Sequence, residues 1–213
     1  MTAALATLAI GSGLLAALLT DRSASASRLF KIIASTAMLL IIPLGSPELN
    51  GYTVLVAAAL AASWLGDLAL SFEGRSAFLA GLFSFALAHV LYIAGFFSRS
   101  SMDLFSVVVS AIVMAITAAA ILKWLAPYIP EPMGAPVAAY IGIISVMVVT
   151  SFGTSGALAD PRIPTAAVLF TISDVLVARH QFVQPALANR VVGLPVYFAA
   201  QVLFAVSVVV PWT

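Results

Sequence analysis

Eight apolar runs follow one another along the chain, each closed by a short polar or proline-bearing stretch. They lack the strict apolar–polar alternation of a half-buried strand, and a membrane β-barrel would show shorter, alternating segments, so the pattern predicts helices. One bilayer crossing takes about 20 residues of helix. The expected helices cover residues 3–19, 29–44, 52–72, 77–97, 104–125, 137–152, 165–178 and 191–210. The second and seventh are short enough to be tilted or partly re-entrant. Pro43 and GSPELNG close the second, the four prolines of APYIPEPMGAP read as a turn, and GTSGALADPRIP and RHQFVQPALANR read as longer linkers. The fold class expected is an all-α polytopic membrane bundle of about eight transmembrane helices with short loops. Residues 1–213 would form a single transmembrane domain.

Composition supports lipid as the solvent. Of 213 residues, 63% are hydrophobic and 8% charged, and mean hydropathy is +1.16; soluble domains carry about 25% charged residues. The net charge of +1 is scattered, which leaves no basic surface for nucleic acid. With no cysteine, disulfide and thiolate chemistry are excluded. No positive region precedes the first run, so it reads as a retained helix rather than a signal peptide.

Charge also predicts sidedness. Linkers one, three, five and seven, with the helix ends beside them, hold Arg22, Arg28, Lys31, Arg75, Lys123, Arg179 and Arg190, whereas the other side holds Arg99 and Arg162. This bias places the odd linkers in the cytoplasm and both termini outside. Asp67 then lies about 7 Å short of the cytoplasmic end of the third helix at 1.5 Å per residue. Asp174 in the seventh lies at nearly the same depth, and Lys31 falls at the cytoplasmic mouth. The outer half is expected to be almost free of polar groups.

A carboxylate inside a membrane helix is costly unless it faces the bundle interior or water, which makes Asp67 and Asp174 functional candidates. The plain alternative is structural: a helix-to-helix hydrogen bond, or a pair between Asp67 and Lys31. If the two acids share a pocket their protons are coupled, which suits general acid catalysis. His89 alone is more often a satisfied core group, and one His with two Asp lacks tight metal-ligand spacing. Lys31 reads as a snorkelling interfacial residue or a headgroup anchor. Glu73, Arg75, Arg99, Asp103, Glu131, Asp160 and Arg162 read as loop charges, and Trp64, Trp124 and Trp212 as helix-end or packing residues. GxSxG, HExxH, P-loop and dinucleotide patterns do not occur.

Four stretches carry a resemblance: GDLAL at 66–70, FLAGLFSFALAHVLY at 78–92, LFTISDVLVA at 169–178 and YFAAQ at 197–201. Together they resemble the YhhN family of membrane proteins, which includes the lysoplasmalogenases. Carried over, the family's polar positions fall on Lys31, Asp67, His89, Tyr92, Ser173, Asp174, Tyr197 and Gln201. Ile32 stands where the family often has proline, and Ala166 and Ala167 where it often has GA. The resemblance implies a bacterial plasma-membrane enzyme without cofactor or metal. Its substrate would be a single-chain phospholipid, cleaved at its vinyl ether to a fatty aldehyde and a glycerophospho-base. Asp67 and Asp174 would be catalytic, in the cytoplasmic half, and the other six would bind or orient. Hydrolysis of another lysolipid bond, or proton-coupled transport through the same acids, remains an alternative. A pocket closed toward the outside would favour the enzyme, and a path past His89 the transporter.

Overall fold

The computed structural model describes residues 1–211; Trp212 lies outside them. Eight helices follow in order: α1 (Thr2–Leu19), α2 (Ala24–Gly45), α3 (Gly51–Ala69), α4 (Arg75–Arg99), α5 (Leu104–Leu125), α6 (Gly134–Leu158), α7 (Arg162–Ala178) and α8 (Leu187–Val209). All eight, α7 together with the π-helical turn Arg179–Val183 that continues it, are long and apolar enough to cross a membrane. No sheet occurs among the described residues. The chain is an integral membrane protein built as an α-helical bundle.

The second and sixth helices run longer than the pattern predicts, for local reasons. Ser23 caps α2 by accepting the Ala26 N–H at 3.3 Å, so the polar SASAS stretch becomes its first turns. Pro43 sits inside the last turn instead of ending the helix. In α6 the GTSGAL segment is helix, not linker. A methyl group added at Gly153 would lie 2.7 Å from Val107, so that glycine permits close approach of α5.

Neighbours in sequence pair in space: α1 with α2, α3 with α4, α5 with α6 and α7 with α8. Helix α8 runs through the middle and touches α1, α2, α3 and α7. It is the most central helix. Met1 and the end of α8 lie at one end of the bundle, here the terminal end, with linkers two, four and six.

That end is sealed by an ionic cluster, which corrects the expectation that Arg99, Asp160 and Arg162 are loop charges and that this half is almost free of polar groups. Asp160 has no solvent exposure. Arg162 grips both its carboxylate oxygens at 2.9 Å, and Arg99 Nη2 donates to Oδ2 at 3.0 Å. Arg162 also donates to the Val210 carbonyl at 2.8 Å, and Arg99 stacks 4.6 Å from the Tyr52 ring centre. A buried carboxylate is tolerable when such forked partners satisfy it.

Burial alone would raise the Asp160 carboxyl, but hydrogen bonds and charge from Arg162, then Arg99, hold it below its ordinary value of 3.8. A depressed value means the cluster stabilises fully above that ordinary value. The contribution is lost only as pH falls further, through the depressed value. Asp160→Ala should therefore destabilise by about 3–5 kcal/mol at neutral pH, because it leaves two cations without their anion. Thermal unfolding in detergent would show this as a lower Tm, and the gap to wild type should shrink only in strong acid.

Candidate active site

Asp67 stands near the far end of α3, directly after Gly66. A methyl group added at Gly66 would lie 2.7 Å from the Phe85 ring, so glycine lets α4 approach and fixes the next side chain against α2 and α8. Oδ2 of Asp67 accepts from Ser35 Oγ at 2.6 Å and from the Tyr197 hydroxyl at 2.8 Å. Oδ1 faces Lys31 Nζ at 3.6 Å. Every neighbour is a donor, so this carboxylate is held as an acceptor.

Of the two readings the sequence offers for Lys31, a snorkelling residue at the mouth and a pair with Asp67, the contact supports the pair. The ammonium turns inward, because a buried amine needs a carboxylate and α2 presents Lys31 and Ser35 one turn apart to the same one.

Asp174, on α7, has a different set of partners. Its Oδ2 accepts from the Tyr140 hydroxyl of α6 at 2.8 Å and lies 3.8 Å from His89 Nε2 of α4. Nδ1 of His89 donates to the Phe85 carbonyl at 2.6 Å, since a carbonyl can only accept. Nε2 of the neutral ring is then an acceptor, and it is buried without a hydrogen-bond partner. Asp174 is about one-fifth exposed, at 18%, where the Asp67 side chain is 5% exposed.

The two carboxylates share one cavity of about 1310 Å³, with Lys31, Ser173 and Tyr197 also in its wall. No hydrogen bond or ion pair joins them among the described residues. An aromatic wall runs beside Asp67, which accepts from Tyr197: Phe85, Phe170 and Tyr197 stand edge-to-face at 5.4–6.0 Å between ring centres. His89, Tyr92 and Gln201 do not line the cavity and lie behind it. There the Tyr92 hydroxyl donates to Gln201 Oε1 at 2.6 Å, and its ring stacks on Phe204 at 4.1 Å. No group of three or more His, Cys, Asp or Glu side chains comes together among the described residues.

The cavity wall comes from the start of α2, the end of α3, the start of α4 and the second half of α5. The first half of α6, the end of α7 and the start of α8 complete it. All of these lie at the end opposite the termini. Toward the terminal end, Phe96, Tyr92 and Phe204 are fully buried and fill the core, with the Asp160 cluster beyond.

Ser35 and Tyr140, which hold the two acids, were not singled out in the sequence. Ser35 lies one turn beyond Lys31, and Tyr140 is the one tyrosine in the sixth apolar run. Those were the available signals.

A family model described as the YhhN family matches residues 26–208. The chain belongs to the YhhN family. Lysoplasmalogenase TMEM86B of Homo sapiens is 32% identical over 159 residues, covering 74% of this chain and 65% of that protein. Its Sus scrofa counterpart is 30% identical over 159 residues, 75% and 65% of the two chains. Lysoplasmalogenase TMEM86A of Bos taurus is 28% identical over 156 residues, 69% and 62% of the two chains. The matched segment therefore spans under two thirds of each of these relatives. No solved structure matches the chain. Within the YhhN match lie all eight polar positions, from Lys31 to Gln201.

Proposed function

We propose that this YhhN-family chain is a hydrolase of the vinyl-ether bond of lysoplasmalogens, releasing a fatty aldehyde and a glycerophospho-base. The observation that carries the reading is a single cavity, walled from one end of the bundle, with both membrane-embedded carboxylates in it. Relatives named as lysoplasmalogenases point to the same class.

A vinyl ether is cleaved by protonating its β-carbon, which leaves an oxocarbenium ion. Water adds to that cation, and the resulting hemiacetal collapses to aldehyde and alcohol. Asp174 suits the acid: it is the more exposed carboxyl and receives a single protein hydrogen bond, leaving its other oxygen to carry a proton toward the cavity. Asp67, surrounded by donors, suits the fixed negative charge that stabilises the cation and orients water. Once it has given its proton, Asp174 recovers one from the adding water, so the cycle balances. Tyr140 positions Asp174, with His89 Nε2 3.8 Å away as a nearby acceptor; Ser35, Lys31 and Tyr197 position Asp67. Tyr92 and Gln201 brace that wall from behind, and Ser173 packs beside Asp174.

Transport through the same acids would need a path to the terminal end, where the aromatic core and the Asp160 cluster stand. The closed end favours the enzyme. The charge bias puts the cavity mouth, and so the active site, on the cytoplasmic side with both termini outside.

With Lys31 engaged by Asp67, the headgroup phosphate falls to Arg28 and Arg190 at the mouth. Both line the cavity, and Arg28 lies 4.7 Å over the Phe72 ring with its Nε lacking an acceptor. Arg28→Gln and Arg190→Gln should each raise KM about 10-fold, the worth of one charge-assisted hydrogen bond. kcat should hold, the signature of lost uniform binding. A fall in kcat with KM unchanged would move the arginines out of the headgroup site. The function itself is tested by incubating purified protein with alkenyl, acyl and alkyl lysolipids: aldehyde from the alkenyl lipid alone is expected. Fatty acid from the acyl lipid would assign another bond, and no product from any would favour the transporter.

A further inference from the structure

Two groups of helices divide the cavity wall between them. Helix α5 packs along α6, while α2 packs on α1, α3 and α8. Among the described residues no extended contact joins α5 or α6 to α1, α2, α3 or α8. Helices α4 and α7 stand between the groups: α4 packs on α3 and α6, and α7 on α6 and α8.

The groups differ in chemistry. Met114, Ala118 and Ile121 of α5 line the cavity at spacings of four and three residues, the repeat of one helix face. Val137, Ile141 and Ile144 of α6 follow the same spacing. No charged side chain lines the cavity from residues 114–145. Asp21, Arg28, Glu73 and Arg190 line it from α2, α8 and the linkers after α1 and α3. The apolar side is also closed. Toward the terminal end Met114, Ile144 and Ser145 are the last residues of α5 and α6 in its wall. About one turn further, Ser110, Met147 and Val148 are buried and do not line it.

The two carboxylates stand at the seam. Asp174, on α7, accepts from Tyr140 of α6 at 2.8 Å, whereas Asp67 meets Lys31 and Ser35 of α2 and Tyr197 of α8. A single-chain amphiphile carries the same division, with one bond joining its polar part to its hydrocarbon. We propose that the α5–α6 arm of the cavity is the hydrocarbon-chain site of a single-chain lipid, with Met114 and Ile144 as the floor that limits chain length. A chain arriving from lipid gains little by transfer into an apolar arm, because lipid tails are equally apolar. The arm therefore selects by fit, and a carbon beyond the floor collides with Met114 and Ile144. In this orientation the chain-side carbon of a vinyl ether faces Asp174 and the ether oxygen faces Asp67, the order that protonation at the β-carbon requires. That orientation rests on the proposed function; the chain site itself requires only a single-chain lipid.

Purified protein in nanodiscs, given alkenyl lysolipids of graded chain length at one mole fraction, tests the arm. Met114→Ala lowers the floor and should raise kcat/KM about 10-fold for chains that overrun it, the worth of a methylene that no longer collides. Ala118→Phe fills the arm one turn above the floor. It should cut long chains by a similar factor and leave the shortest at the wild-type rate. An unchanged profile in both variants, or equal loss at every length, would overturn the chain site. A second arm is independent of the reaction: binding of non-cleavable alkyl lysolipids should shift with chain length in the same way. Shifted alkyl binding without aldehyde from the alkenyl lipids would keep the chain site and remove the vinyl-ether reading. Aldehyde release with an unshifted profile would do the reverse.

Discussion

Asp174→Asn should lower kcat for aldehyde release by about 10²–10⁴-fold, the range a positioned general acid contributes. An amide is nearly isosteric and still accepts the Tyr140 hydrogen bond, so the bundle should fold and bind lipid. What it cannot do is deliver a proton to carbon. The wild-type profile of kcat/KM against pH should be bell-shaped, reporting one group that must be protonated and one that must not. Tyr140→Phe should act more weakly in the same direction, through the loss of one hydrogen bond to Asp174. Near-normal turnover by D174N would remove Asp174 from the chemistry.

At the second carboxylate, Asp67→Asn should likewise abolish turnover, and Lys31→Met should lower kcat by about 100-fold, because the charge it positions drifts out of place. This replaces the role of Lys31 as a headgroup anchor, which would have raised KM alone. The contact of 3.6 Å between Lys31 and Asp67 is what changes the expectation. D67N leaves a buried ammonium without its anion, so folding is best checked beside K31M/D67N, where both charges are gone. The two carboxylates have separate partners, yet the proposed mechanism has them serve one transition state. The double variant D67N/D174N should therefore be little worse than either single one. Additive losses would mean that the acids work on different steps.

Bundle class and helix number were legible in the sequence because each apolar run is long and unbroken, and of the two backbones that can span lipid, helix and closed barrel, only the helix carries such a run. Helix ends were less legible. Polar SASAS and GTSGAL read as linkers, since a single chain does not show that Ser23 is a cap or that Gly153 faces a neighbouring helix. The acids at 67 and 174 stood out as charges in hydrocarbon. Their partners did not: Ser35 and Tyr140 are ordinary residues for membrane helices, and only the packing of α2 on α3 and α6 on α7 turns them toward a carboxylate. Asp160 is illegible for the opposite reason. It lies in a loop-like stretch, ADPRIP, and its burial depends on Arg99, which is distant in sequence.

If water is added across a vinyl ether after a proton reaches carbon, the position of an isotope in the product reports that step. Purified protein is given an alkenyl lysophospholipid in deuterated water, and the released aldehyde is reduced at once to the alcohol and analysed by mass and NMR. A single deuterium is expected on the carbon next to the former carbonyl, and in a parallel reaction in ¹⁸O-labelled water the glycerophospho-base should carry no ¹⁸O, because its hydroxyl keeps the original ether oxygen. No deuterium should appear with D174N. Fatty acid as the product, or an aldehyde without deuterium at that carbon, would contradict that step.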